Sequence, residues 1–247
     1  MSEIVRAQEV PAYTMMTGEI YDLIYADKDY QGQAAKLTEL IDSNCESGGN
    51  RVLEAACGTG TYMQFLDPHF SVDGFDLSAE QVVAAKKRLP DARIEKADML
   101  DFDMGGQYDA VLCLFSSIGY LKTKENLDKA IANMAKHTLP GGLVIVEPWL
   151  RAEDIKPGHI SIEQGKNEQL AVQRMGKLVQ KGTISSLAMH HMIGTERGIE
   201  HFVETHELAV YTDEEFTDAF HKAGLSIEID PEGLTGRRLC IGKKPAQ

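Results

Sequence analysis

Gly58 and Gly60, set in Glu54-Ala-Ala-Cys-Gly-Thr-Gly60 directly behind an apolar run, are the first residues whose spacing points to chemistry. Glycine there lets the backbone turn into the left-handed region and lets a ligand approach the main chain closely. About twenty residues on, Phe75-Asp76-Leu77 places a carboxylate at the end of a second apolar run, where it accepts hydrogen bonds from both hydroxyls of a ribose. Asp98-Met99 follows a third run, pairing an acceptor for an exocyclic amine with a soft side chain suited to a purine face. Each feature alone has a plainer reading, a strand-to-helix turn or a helix cap. Their order at successive strand ends favours an adenosine-containing ligand. The nicotinamide fingerprint needs Gly or Ala where Met63 stands in Gly58-Thr-Gly-Thr-Tyr-Met63, which disfavours NAD, and the absence of a following GKS or GKT excludes a P-loop.

The segments that must position these residues alternate apolar runs with helical periodicity between Arg51 and Pro148, the signature of a parallel sheet with crossover helices. Strands are expected over 51–55, 71–76, 93–96, 108–115 and 143–147. Ser78-Ala-Glu-Gln81 reads as a capping box opening a helix that Pro90 stops; Leu127, Ile131 and Met134 mark another helix, ending before Pro140-Gly-Gly142. Ala34, Leu37 and Ile41 mark a third over 31–45. After Trp149, glycines punctuate runs of period two such as 199–208, predicting an antiparallel lobe of about four strands. A helix from the capping box Thr212-Asp-Glu-Glu215 to Gly224 and a strand pair over 226–229 and 238–242 return to the main sheet. The expected fold is α/β: a Rossmann-like, seven-stranded, mostly parallel sheet with its last strand antiparallel. In this reading residues 1–149 form an N-terminal helical cover plus the cofactor-binding core, 150–211 a β lobe inserted after the fifth strand, and 212–247 the completion of the core.

A chain of 247 residues is one large domain or a domain plus a lobe, and 43% hydrophobic with 26% charged residues disfavours disorder. Twenty-five basic against 38 acidic residues leave a formal −13 with no basic run, which disfavours a nucleic-acid partner. Cys45, Cys57, Cys113 and Cys240 show neither CxxC nor Cys/His spacing; they read as free thiols of a reducing compartment and offer no metal-ligand set. Met1 to Pro11 carries Glu3, Arg6 and Glu9 without a signal-peptide run, and nowhere are about 18 consecutive residues apolar. A soluble cytoplasmic protein without a membrane partner is expected.

The order of glycine turn, ribose acid and adenine acid resembles the class I S-adenosylmethionine-dependent methyltransferases over about Arg51 to Pro148. A wider set of segments resembles one subfamily of these, the TDP-amino-sugar N,N-dimethyltransferases of desosamine and mycaminose biosynthesis. They are Ala56-Cys-Gly-Thr-Gly-Thr61, Leu89-Pro-Asp-Ala92, Asp98-Met-x-Asp-Phe102, Phe115-Ser-Ser-Ile-Gly-Tyr-Leu121, Val146-Glu-Pro-Trp149 and Gly236-Arg237. The resemblance implies an antibiotic-pathway enzyme that dimethylates the amino group of a nucleotide-linked sugar with S-adenosylmethionine, working as a homodimer. It implies cofactor contacts from Glu54, Ala55, Gly58 and Gly60, from Asp76, Leu77, Asp98 and Met99, and from Phe115. Among Tyr13, Tyr21, Tyr25 and Tyr30, aromatic residues of a helical segment that more often pack than contact ligand, it singles out Tyr21 and Tyr30.

Ser117, Trp149, Arg237 and Arg238 are the implied acceptor contacts, a guanidinium fork being the natural partner of a diphosphate in so acidic a chain. Sulfonium already activates the methyl group, so the protein need only position the neutral amine and let its proton leave. Tyr120, Glu147 and a lobe histidine, His190 first among His190, His191, His201 and His206, are the candidates to hydrogen-bond that amine or take its proton. Three positions depart from the subfamily: Glu54 stands for Asp, Tyr120 for a histidine and Arg238 for Gly. Another small acceptor, such as an amino acid, carboxylate or phenol, stays open, as does a catalytically silent cofactor-binding protein.

Overall fold

A computed structural model of the chain describes residues 8–12, 15–156 and 158–246. Tyr13 and most of the opening segment read for a leader lie outside the described residues. In chain order the first elements are β1 (Gln8–Pro11), α1 (Gly18–Ile24), α2 (Tyr30–Asn44), β2 (Arg51–Ala55), α3 (Thr61–Leu66), β3 (Ser71–Asp76) and α4 (Ala79–Arg88). There follow β4 (Ile94–Lys96), β5 (Tyr108–Cys113), a 3₁₀ turn (Ser117–Leu121), α5 (Lys124–Lys136) and β6 (Thr138–Val146). Beyond a second 3₁₀ turn (Ala152–Asp154) come β7 (Ile160–Lys166), β8 (Leu170–Lys181), β9 (Ile184–Thr195), β10 (Gly198–Ala209), α6 (Asp213–Lys222), β11 (Ser226–Asp230) and β12 (Leu239–Lys243).

The chain divides into two compact units, one holding Asp29–Arg151 with the segment from Ala209 onward, the other the segment up to Lys28 with Ala152–Leu208. The first unit carries the seven-stranded sheet in the order β11-β12-β6-β5-β2-β3-β4. β2 to β6 run parallel, and β12 lies antiparallel between β6 and β11. β5 is buried along its whole length, as a strand covered on both faces must be. Ser78 caps α4 by accepting from the Gln81 N–H, and Thr212 and Glu215 close the reciprocal box at α6.

Pro140-Gly141-Gly142, expected as a break ahead of a strand, lies inside β6 instead. The ladder to β5 jumps from Tyr108↔Thr138 to Ala110↔Leu143, so the extra residues form a bulge and the chain stays extended around it.

The other unit is a five-stranded sheet in the order β1-β10-β9-β8-β7, not four strands. The additional strand is β1, which pairs parallel with β10 (Gln8↔Phe202). Four residues ending in proline carry no alternation of their own; the open edge of β10 makes them a strand. The N-terminal helical cover is also divided: α1 goes with the lobe, its Ile20 and Ile24, together with Met16 just ahead of it, packing on Val172, Ile193 and Phe202, whereas α2 belongs to the core.

The lobe's covered face holds a polar group as well. His191 is fully buried, stacked on Phe202 at 4.7 Å, with Nε2 3.8 Å from Glu204. Burial lowers its pKa to about 4; Glu204 opposes the shift, while Arg174, His206 and His190 add to it. The folded state thus favours the neutral ring. Its contribution is complete above the unfolded value of about 6.5 and is lost as pH falls toward 4, about 2 kcal/mol of it between pH 7 and 5. Urea midpoints at the two pH values should therefore separate more for the native protein than for His191→Phe. Equal separations would remove His191 as the source.

Candidate active site

Register brings the ends of the central strands to one edge. Ala55 pairs with Phe75 and Cys113, Cys113 with Val146, and Asp76 with Lys96, so the turns after these strands emerge side by side at the carboxyl edge, where open α/β sheets bind ligands. In the turn after β2, Ala56, Gly58 and Gly60 take φ of 54°, 57° and 75°. A Cβ built on Gly58 would meet nothing within 4 Å, whereas one on Gly60 would press on Ala85 at 3.3 Å. Gly60 therefore serves the approach of α4, and Gly58 opens on free space. Met63, in the place of the third fingerprint glycine, is buried against Gly74 of β3.

Asp76 organises this edge. Its Oδ2 accepts from the Gly58 N–H at 2.9 Å and its Oδ1 from the Ser78 N–H at 2.8 Å. Burial raises its pKa above the ordinary aspartate value, against the pull of the Ser78, Gly58 and Leu77 N–H groups. Leu77 beside it is 64% exposed. Asp98 and Met99 are half-buried past β4, with Asp98 Oδ1 accepting from the Leu100 N–H at 2.9 Å. Ala55 is buried in the strand end itself.

The neighbouring turns supply the second wall. β5 stops at Cys113, short of the expected 115, because Phe115 and Ser116 turn to φ of 51° and 66°. The half-buried Ser117 and Tyr120 follow in the 3₁₀ turn. Glu147 is fully buried; its Oε2 accepts from the Phe115 N–H and its Oε1 from the Thr235 hydroxyl, both at 2.7 Å. Arg237 donates to Ser116 Oγ at 3.0 Å and lies 5.0 Å over the half-buried Trp149 ring.

Arg238, expected beside Arg237 as an acceptor contact, turns the other way. It is 2% exposed, ion-paired with Asp213 at 2.8 Å and donating to the Tyr211 carbonyl at 2.6 Å. Its guanidinium is committed to the fold.

Sequence reasoning passed over Tyr62, since a buried tyrosine on a short helix gives the same signal as core. Tyr62 donates to Gln33 Oε1 at 2.5 Å, and its ring meets that of Tyr30 edge-on at 4.9 Å. Burial, then Glu147, Glu54 and Tyr30, push its phenol pKa up, with Arg237 opposing.

Two expected site residues belong to the lobe unit. Tyr21 packs on Tyr25 at 4.7 Å, and His190 is exposed on β9 with Nδ1 3.3 Å from His201 Nε2.

The core edge fits a cationic, adenosine-containing group. Gly58 leaves room above the main chain, both Asp76 oxygens retain further lone pairs, and Leu77 offers apolar cover. Comparison with known proteins agrees. A methyltransferase-domain family model matches residues 52–142. The chain is 37% identical over 234 residues, 93% of its length and 91% of the relative's, to the dTDP-3-amino-3,6-dideoxy-alpha-D-glucopyranose N,N-dimethyltransferase of Streptomyces fradiae. The crystal structure of Streptomyces venezuelae DesVI superposes with a TM-score of 0.86 at 36% identity, covering 92% of this chain and 98% of that one. S-adenosylmethionine-bound CalS10, an amino pentose methyltransferase from Micromonospora echinaspora involved in calicheamicin biosynthesis, superposes at 0.79 with 30% identity, covering 89% and 93%. The chain belongs to the family of these S-adenosylmethionine-dependent methyltransferases, and S-adenosylmethionine is its cofactor.

Proposed function

We propose that the chain N,N-dimethylates the amino group of a dTDP-linked amino-deoxysugar. The observation that carries this reading is Arg237, a guanidinium braced on Trp149 and Ser116 at the cofactor edge of a protein of formal charge −13. Such a fork is suited to a diphosphate, and the S. fradiae relative acts on a dTDP-amino sugar. When bound, S-adenosylmethionine supplies a methyl group already activated by its sulfonium.

The chain's part is then to bind, orient and exclude water. Gly58, Asp76 and Leu77 hold the adenosine, with Asp98 and Met99 at the base; Arg237 and Trp149 hold the nucleotide diphosphate; and Tyr120 with Ser117 faces the amine. Glu147 has no exposed atom for proton transfer. Incubation with S-adenosylmethionine and a panel of dTDP-amino sugars, read by mass spectrometry, tests the assignment. Products carrying one and two added methyl groups are expected, and methylation confined to acceptors without a diphosphate would overturn it.

The lobe supports a homodimeric reading. Opposite the face covered by α1, the sheet exposes Ile160, Ile162, Met175, Met192 and Ile199, with Ile162 and Met175 directly paired across β7 and β8. Exposed apolar side chains gathered on one sheet face support association through it. Light scattering should give twice the 27.3 kDa chain mass, falling to the chain mass in Ile162→Glu/Met175→Lys. A monomeric native protein at all working concentrations would refute the dimer. Among the described residues no helix is long and apolar enough to cross a membrane, and all four cysteines are free, in keeping with a cytoplasmic location.

A further inference from the structure

We propose that Glu147 is a positioning residue: its carboxylate ties the Phe115–Ser116 turn to the 231–238 loop and thereby fixes Arg237 for the acceptor. The inference deepens the acceptor reading above and rests on it. Two successive non-glycine residues in the left-handed region, Phe115 and Ser116, are strained and persist only where the surroundings hold them. Here Glu147 holds both: Oε2 accepts from the Phe115 N–H at 2.7 Å, and its main-chain carbonyl accepts from the Ser116 N–H at 3.2 Å. The Ser116 hydroxyl then donates to the next carbonyl, that of Pro148, at 3.0 Å.

The other carboxylate oxygen reaches the loop that carries the arginines, through Thr235 Oγ1 at 2.7 Å. That loop is folded tightly on itself. Gly233 sits at φ 49°, and a Cβ there would collide with the Arg237 carbonyl oxygen. Arg238 anchors its far side on Asp213 and the Tyr211 carbonyl. Arg237 is thus held between two anchors, and its guanidinium returns to Ser116 Oγ at 3.0 Å, closing a ring of contacts through Glu147, Thr235, Arg237, Ser116 and Phe115. A general base needs an atom the substrate can reach; Glu147 is 0% exposed and both its oxygens are turned to the chain's own donors.

Three variants separate a tie from a base. In E147Q the amide oxygen still accepts from Phe115 and the amide N–H₂ donates to the threonine oxygen, so both links survive without the charge. E147A cuts both links, and T235V, nearly isosteric, cuts only the one to the loop. The readouts are kcat and KM for a dTDP-amino sugar, the pH–rate profile, S-adenosylmethionine affinity, and acrylamide quenching of Trp149, the sole tryptophan.

E147A and T235V are expected to raise the acceptor KM about tenfold or more and to change Trp149 quenching, while cofactor affinity stays within about threefold as the mark of a folded core. E147Q is expected to restore most of what E147A loses and to keep the shape of the pH profile. Where E147A fails to hold the cofactor, T235V decides. An E147Q enzyme as slow as E147A with the acid limb of its profile gone would overturn the proposal in favour of a base, and unchanged Trp149 quenching in both E147A and T235V would also overturn it. Quenching is read without any acceptor, so altered quenching in an enzyme that refuses every sugar nucleotide would uphold the tie and sink the acceptor reading.

Discussion

Asp76→Ala is expected to weaken S-adenosylmethionine binding by on the order of 3 kcal/mol, about a hundredfold, in calorimetry. A carboxylate accepting from both ribose hydroxyls makes two charge-assisted bonds, and this one also orders the turn by accepting from Gly58 and Ser78. The variant therefore loses ligand bonds and the preorganisation of the glycine loop together. S-adenosylhomocysteine, with the same ribose, should weaken in parallel, and Asp76→Asn should fall between, since an amide offers one acceptor in place of two. NAD should bind neither protein. Burial raises the Asp76 carboxyl above its ordinary value, and the ionised form is the one that accepts, so cofactor affinity depends on pH. As pH falls, affinity should decline earlier than it would for an ordinary aspartate. An unchanged dissociation constant in Asp76→Ala would remove Asp76 from the cofactor site.

The adjacent arginines are expected to give opposite phenotypes. Arg237→Ala should raise KM for the sugar nucleotide by ~1.5–3 kcal/mol, about 10- to 150-fold, with cofactor affinity intact, because a phosphate contact made equally in ground and transition states acts on binding. Arg238→Ala should instead cost about 3 kcal/mol of folding stability. It removes one of the two cationic partners of Asp213 and leaves the Tyr211 and Trp149 carbonyls without that guanidinium donor; Asp213 keeps Arg151 at 3.2 Å and is half-exposed, which holds the loss to the lower end of the range for broken buried pairs. Thermal melts with and without S-adenosylmethionine, together with steady-state kinetics, distinguish the two. Equal melting temperatures for native and Arg238→Ala protein would contradict the buried assignment, and an unaltered KM in Arg237→Ala would contradict the diphosphate contact.

These two arginines also show where sequence reasoning stopped. The cofactor edge was legible because its rules are local. A glycine pair after an apolar run forces a left-handed turn, strands 51–55 and 71–76 end where their apolar runs end, and an acid at the second strand end lies beside that turn whenever the two strands pair in parallel. The antiparallel closing pair and the capping box at Thr212 rest on equally local signals.

What only tertiary structure decided is the direction of side chains on extended segments, where neighbours point to opposite faces and a shift of one residue exchanges inside for outside. Arg237 faces Trp149 while Arg238 enters the fold, and His190 is exposed while His191 is buried on Phe202; each pair reads alike along the chain. Glu147 was chosen as a proton acceptor from its place after a strand, and its burial became visible only with Phe115 and Thr235 around it. β1 lies nearly two hundred residues from its partner β10. A four-residue strand owes its existence to the hydrogen bonds of that distant edge, and no local pattern encodes them.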